Sequence, residues 1–483
     1  MKTWRWRFVL VVIAAVASAS IAWTEGGTPA KRAPEGPGNF GRMFSSLPSY
    51  EPPESLLVAL AASMQDPNAP ADDNPNGTPS GFTYLGQFLD HDMTLDTTPL
   101  QFANVVDLLT NGRLPYLDLD SVYGGGPTGN PELYNASGRF KFSTPNGFED
   151  LQRNPDGKAI LVEGRNDENL VIAQFHIAVQ KFHNKLIDAG NSFENAQRLT
   201  RFHWQWIVVH DFLPEVVGQA TVDRFLSYNG AGKPRVHNEF YDPGKKVTPM
   251  MPIEFSVAAY RFGHSMVRLA YVMPTGSVTK TQVFNAAGND LHGSRPIPPN
   301  LKIDFANFFN IEGVPTPPGR NISRKIDALI SKSLFVLPVG PVIPDVPPTI
   351  VSLPERNLLR GKRLGLPSYQ AVAQAMGITP LTNAELGLVD ASPNESWGGE
   401  APLWFGILKE SEIREGGVRL GQTGGRIIAE VILTLIDVDE DSYFSVKGQA
   451  WHPAEGNNFH VDDFLRFAGA VSPLAPPPAP PEP

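Results

Sequence analysis

The stretch Phe82 to Leu95, FTYLGQFLDHDMTL, sets an amide, a carboxylate and an imidazole at helical spacing. Offsets of three and four residues bring Gln87, Asp90 and His91 to one side of a helix, while Leu85, Phe88, Leu89 and Asp92 share another. An imidazole can take a proton and return it, and His with Asp can also ligate zinc or iron. The spacing leaves a solvated polar cluster and a metal-dependent hydrolase both open, although no HExxH pattern supports the hydrolase.

Three further stretches carry chemistry. Gly164 to Leu170, GRNDENL, opens an apolar-periodic segment with Asn166 or Asp167 as the expected cap, and Arg165 and Glu168 project together from its start. Pro252 to Met273 reads as a helix that is apolar nearly all round and encloses His264, which suits a hydrogen-bonded core histidine or a metal ligand. In Leu353 to Pro367, LPERNLLRGKRLGLP, Asn357 and Arg360 share a helical face beside other cations.

The elements that must position these residues are helices. Periodicity marks Glu54–Met64, Phe82–Leu95, Glu168–Ala189, Ser192–Val217, Pro252–Met273, Arg324–Ser333 and Tyr369–Met376. Strand patterns are scarce, and the 46 prolines and 44 glycines are well above ordinary usage, so the expected fold is mainly α with long irregular loops and little β. Leu334 to Leu353 is apolar but rich in proline, which predicts an extended buried loop.

The 483 residues contain no cysteine, which excludes disulfides, thiolate-ligated haem and iron–sulfur clusters. Any metal must be held by His, Asp, Glu or a carbonyl oxygen. The formal charge of −10, without a basic run, argues against a nucleic-acid partner. Lys2, Arg5 and Arg7 precede the apolar run Phe8 to Ala22, which predicts a signal peptide over 1–19 and hence a protein secreted or held in a bacterial periplasm, without stable membrane insertion once cleaved. A main domain over 36–470 and a Pro-rich tail over 471–483 complete the expected organisation.

In their order these stretches, with a fifth at Leu114 to Gly124, resemble the animal-type haem peroxidase family, the peroxidase–cyclooxygenase superfamily. GQFLDHDMTL is similar to its distal helix motif and LPYLDLDSVYG to its calcium loop. GRNDEN resembles its catalytic arginine motif, AYRFGHSMV its proximal helix motif, and ERNLLRGKRLGLPSY its asparagine-bearing helix.

The resemblance implies haem b and calcium as cofactors. His91 would then be the distal acid–base, Arg165 the cation that stabilises the breaking O–O bond, and Gln87 a pocket amide. His264 would be the axial iron ligand, with the Asn357 amide oxygen accepting from its other ring nitrogen, and Arg261 and Arg360 would face the propionates. Asp90 and Glu168 match carboxylates that esterify haem, while Asn169 after Glu168 offers no sulfonium link. Asp92, Asp118, the Tyr116 carbonyl and Asp120 match the calcium ligands; Leu114 stands where a threonine is usual and Asp120 where a serine is.

The implied activity is reduction of hydrogen peroxide through an oxyferryl haem, with oxidation of halide, thiocyanate or a small aromatic donor. Two alternatives stay open: a fatty-acid dioxygenase, which would require a tyrosine where Arg261 stands, Tyr260 being one position off, and a non-enzymatic extracellular adhesion or matrix module. The sequence is silent on oligomeric state.

Overall fold

Among the described residues the helices of ten residues or more are α1 (Glu54–Ser63), α2 (Gly81–Met93), α3 (Leu170–Asp188), α4 (Phe193–Ile207), α5 (Leu353–Arg363), α6 (Leu403–Arg414) and α7 (Gln422–Val438). Several are started by side chains that satisfy the donors a first turn leaves open. Asn169 accepts from the N–H groups of Val171 and Ile172, Ser192 from Asn195 and Ser352 from Glu355. The cap of α3 is therefore Asn169, two or three residues later than expected, because Gly164–Asp167 first makes a separate 3₁₀ turn capped by Glu163.

This computed structural model describes residues 38–67, 73–96, 109–245, 247–285, 288–337, 350–390, 392, 395–454 and 456–471. The expected signal peptide at 1–19, residues 472–483 of the expected tail and residues 338–349 of the apolar loop lie outside these. No helix among the described residues is long and apolar enough to cross a membrane.

The fold is mainly helical, with β-structure confined to short pieces. β1 (Gly38–Gly41) pairs antiparallel with β2 (Thr110–Asn111) and parallel with β5 (Met251–Pro252), so the order is β2-β1-β5. β3 (Leu226–Tyr228) with β4 (Pro234–Val236), and β6 (Ala270–Val272) with β7 (Lys280–Gln282), form two antiparallel hairpins.

The apolar side of α2 is the structural anchor of the site. Leu85, Phe88 and Leu89 are fully buried. The Phe88 ring meets Phe175 of α3 edge-on at 5.3 Å and Trp204 of α4 at 5.4 Å, contacts worth about 0.5–1.5 kcal/mol each beyond their burial. The N-terminus of α2 is pinned where the Gly81 N–H donates to the Phe308 carbonyl at 2.7 Å. A side chain at Gly81 would collide with that carbonyl and with the Phe309 ring.

Two expected helices differ. Pro252–Met273 is broken into a π turn at Glu254–Ala258, a 3₁₀ turn at Ala259–Phe262 and a short α turn at Gly263–Met266, before the chain extends into β6. An apolar run cannot by its period distinguish a buried helix from a buried strand, and here hairpin pairing takes the second half. Arg324–Ser333 is irregular, because its backbone bonds laterally to residues 64–78: Ser323 N–H to the Thr78 carbonyl, Asp66 N–H to the Ile330 carbonyl, and Ile330 N–H to the Met64 carbonyl. Arg324 is buried and pairs with Asp66 at 3.0 Å. Helices α6 and α7 have no counterpart in the sequence reading; Gly424 and Gly425 in the first turn of α7 read as helix breakers in the sequence.

Candidate active site

A cavity of about 1350 Å³ lies between α2 and the Ser256–Val267 segment, larger than the roughly 300–1,000 Å³ of ordinary ligand clefts. Gln87, Asp90 and His91 reach it from α2, Arg165 and Glu168 from the 3₁₀ turn and its exit, and Arg261 and His264 from the Ser256–Val267 segment. Helical spacing puts the polar trio on one side of α2, and the tertiary fold brings that side together with the Arg165–Glu168 pair.

His91 is buried, and its Nδ1 lies 2.9 Å from Asn166 Oδ1. Asn166 Nδ2 in turn lies 3.0 Å from Nδ1 of the buried His176. An amide oxygen only accepts, so His91 carries its proton on Nδ1 and presents the Nε2 lone pair. Nε2 is 3.8 Å from Glu168 Oε1. Burial and the charge of Arg165 push the His91 pKa down to about 3, so the ring is neutral. Gln87 donates through Nε2 to Glu168 Oε1. Burial raises Glu168 to about 7 and also raises Asp90, which accepts from Thr94 Oγ1 at 2.9 Å.

Arg165 is held by Glu163, which sequence reasoning missed. Glu163 Oε1 accepts from Arg165 Nε at 3.0 Å and Oε2 from Arg165 Nη2 at 3.0 Å, while Arg113 Nη2 donates to the same Oε2 at 2.8 Å. Burial disfavours this carboxylate, but the hydrogen bonds and charges of the two guanidiniums outweigh it and hold the pKa down to about 2. Arg165 Nη1 remains 3.9 Å from Asp90 Oδ2, on the cavity side. Asn166 and His176 were missed likewise, although Asn166 stands inside the GRNDEN motif.

Burial and then the charge of Arg261 push His264 down to about 3. Asn357 is beside it as expected, but with its amide in the other sense. Asn357 Oδ1 accepts from Arg261 Nη1 at 2.9 Å, leaving Nδ2 at 2.9 Å from His264 Nδ1. A guanidinium only donates, so it claims the oxygen, and the imidazole is left with the amide nitrogen. Arg360 also lines the cavity but pairs with Asp96, its Nε buried without a partner among the described residues.

Asp92, Asp118 and Asp120 converge, with one carboxylate oxygen from each within 4.8 Å of the others. Asp92 Oδ2 accepts from the Leu119 N–H at 2.9 Å, and Oδ1 from Ser121 Oγ at 2.7 Å. Burial and the neighbouring charge of Asp118 raise Asp92 to about 7. Such crowding of carboxylates suits an oxygen-ligated cation. Leu119 adopts φ 62°, a left-handed conformation that turns this loop back toward Asp92. Leu114 departs from the expected ligand set: it has no side-chain oxygen, and its carbonyl accepts from the Tyr116 N–H at 2.8 Å. Arg113 Nη1 approaches Asp120 Oδ1 at 3.4 Å, a competing cation.

Residues 107–450 match the sequence model of the animal haem peroxidase family. Curated relatives include the chorion peroxidase of Aedes aegypti, 24% identical over 73% of this chain and 44% of that protein. The thyroid peroxidase of Rattus norvegicus is 24% identical over 68% of this chain and 38% of its own length. The chain thus spans about two-fifths of the length of these relatives. Among solved structures, peroxidase A from Dictyostelium discoideum superposes with a TM-score of 0.60 at 18% identity, covering 91% of this chain and 95% of that one. A fatty acid α-dioxygenase from Arabidopsis thaliana reaches 0.58 at 15%, covering 90% and 76%. Both share the fold. The matched segment includes Arg165, His264 and Asn357 and begins after α2. With a match over most of its length, the chain belongs to the animal haem peroxidase family.

Proposed function

We propose that this protein is a secreted haem peroxidase that reduces hydrogen peroxide and oxidises a small donor. One observation carries the reading: a neutral imidazole with a free Nε2, His91, and an anchored guanidinium, Arg165, share a cavity with a second imidazole, His264.

The donor set fits haem. With the Asn357 amide nitrogen facing its Nδ1, neutral His264 carries its proton on Nε2. To ligate iron it would need the half-buried Arg261 to turn from the Asn357 oxygen to a propionate, which frees that oxygen to accept from Nδ1–H. Asp90 and Glu168 border the same space and are the groups for ester attachment. Once bound, haem supplies the redox chemistry: two-electron reduction of peroxide and one-electron oxidation of donors.

The chain's own residues handle protons and charge. His91 Nε2 takes the proton from the near oxygen of hydrogen peroxide and returns it to the far oxygen, which leaves as water. Asn166 keeps the ring in the tautomer that this transfer needs. Arg165, with its proton count fixed by Glu163, places positive charge where negative charge develops on the departing oxygen. Asp92, Asp118, Asp120 and the Tyr116 carbonyl would hold calcium at the residue after His91, tying α2 to the following loop.

A fatty-acid oxygenase would need a tyrosine at position 261. Arg261 is there instead, and the neighbouring Tyr260 hydroxyl donates to the Gly86 carbonyl at 3.1 Å.

The test is a haem-loaded preparation mixed with peroxide in stopped flow. His91→Ala and Arg165→Ala should each slow the first spectral change by about 10²–10⁴. Unchanged rates, or a purified protein that takes up no haem and shows no Soret band, would overturn the assignment. Colour retained in the protein after acid–acetone extraction reports covalent attachment.

A further inference from the structure

The peroxidase reading leaves unused a carboxylate–imidazole pair that borders the cavity. Asp290 is buried, and its Oδ1 is bonded to Nδ1 of His292. The carboxylate is fixed by its surroundings: Oδ2 accepts from the Asn285 N–H at 2.7 Å and Oδ1 from the His292 N–H at 3.2 Å. His292 Nδ1 is therefore the donor, and its Nε2 has no hydrogen-bond partner among the described residues. The His292 side chain is 40% exposed and lines the same cavity as His91, which places it at the mouth.

The loop carrying this pair is clamped to the catalytic segment. Gly293 N–H donates to the Glu168 carbonyl at 2.8 Å, Ser294 N–H to the Asp167 carbonyl at 2.7 Å, and Leu170 N–H to the Leu291 carbonyl at 2.9 Å. A Cβ at Gly293 would overlap the Asp167 carbonyl oxygen. Ser294 holds φ 55°, a conformation that non-glycine residues seldom adopt. The surroundings also choose among donors. Val283 and Phe284, which line the same cavity, offer apolar surface for a ring, beside the proton-accepting Nε2 of His292.

We propose that His292 and Asp290 form a proton-accepting dyad for a neutral phenolic donor bound at the cavity mouth. The inference rests on the peroxidase reading and names its substrate class. The phenol O–H bond breaks: one electron passes to haem already oxidised by peroxide, and the proton goes to His292 Nε2. Asp290 stabilises the imidazolium, the exposed ring returns the proton to solvent, and a phenoxyl radical leaves. Two such turns consume the two oxidising equivalents of one peroxide.

The experiment compares p-cresol, which must lose a proton on oxidation, with ferrocyanide, which has none to lose, in the haem-loaded full chain. For His292→Leu and Asp290→Asn the ratio of kcat/KM for p-cresol to that for ferrocyanide should fall at least tenfold. A separate readout without peroxide is calorimetric binding of p-cresol to the resting holoprotein, which should weaken about fivefold in His292→Leu, as expected for loss of one neutral hydrogen bond. An unchanged ratio, or equal loss with both donors, overturns the dyad and leaves the peroxidase reading intact. A wild-type protein that oxidises neither donor overturns both.

Discussion

His91 Nδ1 and Asn166 Oδ1 stand 2.9 Å apart, and through Asn166 the distal imidazole is joined to a second buried histidine, His176. The amide cannot satisfy both rings unless His91 donates and His176 accepts. The tautomer of the proposed acid–base is thus set by a residue that never faces the cavity.

Asn166→Leu should keep the fold but free the His91 ring to change tautomer. The rate of reaction with peroxide should fall by about tenfold or more, less than the effect of deleting the imidazole itself. Stopped-flow absorbance with far-UV circular dichroism as the folding control checks it.

Glu163→Gln removes the charge shared by Arg113 and Arg165. Breaking a buried pair from one side typically costs about 3–5 kcal/mol, so a clear fall in the urea midpoint is expected. Peroxide reactivity should drop as well, because Arg165 loses its anchor. An unchanged midpoint would contradict the burial and bonding assigned to Glu163.

If calcium occupies the Asp92–Asp118–Asp120 cluster, a chelator should lower Tm, and added calcium should restore it in proportion to the logarithm of its concentration. Asp118→Asn should lower Tm and abolish the calcium response. Because Asp92 follows His91 on α2, chelation should also slow the peroxide reaction.

Buried histidines make stability depend on pH in a predictable sense. His183 sits between the Tyr123 hydroxyl and the Gly138 carbonyl, each at 3.0 Å, and burial pushes its pKa down to about 4. Unfolded histidine titrates near 6.5, so below that pH the unfolded chain takes up a proton that the folded chain refuses. Its contribution is complete above about 6.5 and is lost as pH falls toward 4. At pH 5 the loss is about 2 kcal/mol. His183→Gln should therefore be less stable at pH 7 yet lose less stability between pH 7 and 5, read from urea midpoints at both pH values.

The residues that would do chemistry were largely legible in the sequence, because each is tied to its neighbours at helical spacing. Gln87, Asp90 and His91 had to share a side once Leu85, Phe88 and Leu89 demanded the other. What supports them was not legible. Glu163 reaches Arg113, fifty positions earlier, and His176 is indistinguishable by period from any buried residue of α3. The broken helix around His264 was missed for a related reason: an apolar run says that a segment is buried, and hydrogen-bond partners elsewhere decide its shape.

By itself the sequence determined the mainly helical class, the excluded cysteine chemistry and the order of the motif-bearing segments, since these depend on composition and on contacts within a few residues. The tertiary structure alone decided that His91, Arg165 and His264 line one cavity, that Arg261 takes the Asn357 oxygen, and that the Asp290–His292 pair opens onto the same cavity. Those outcomes depend on contacts between residues tens to hundreds of positions apart, where chain spacing carries no directional information and packing and hydrogen-bond satisfaction select the partner.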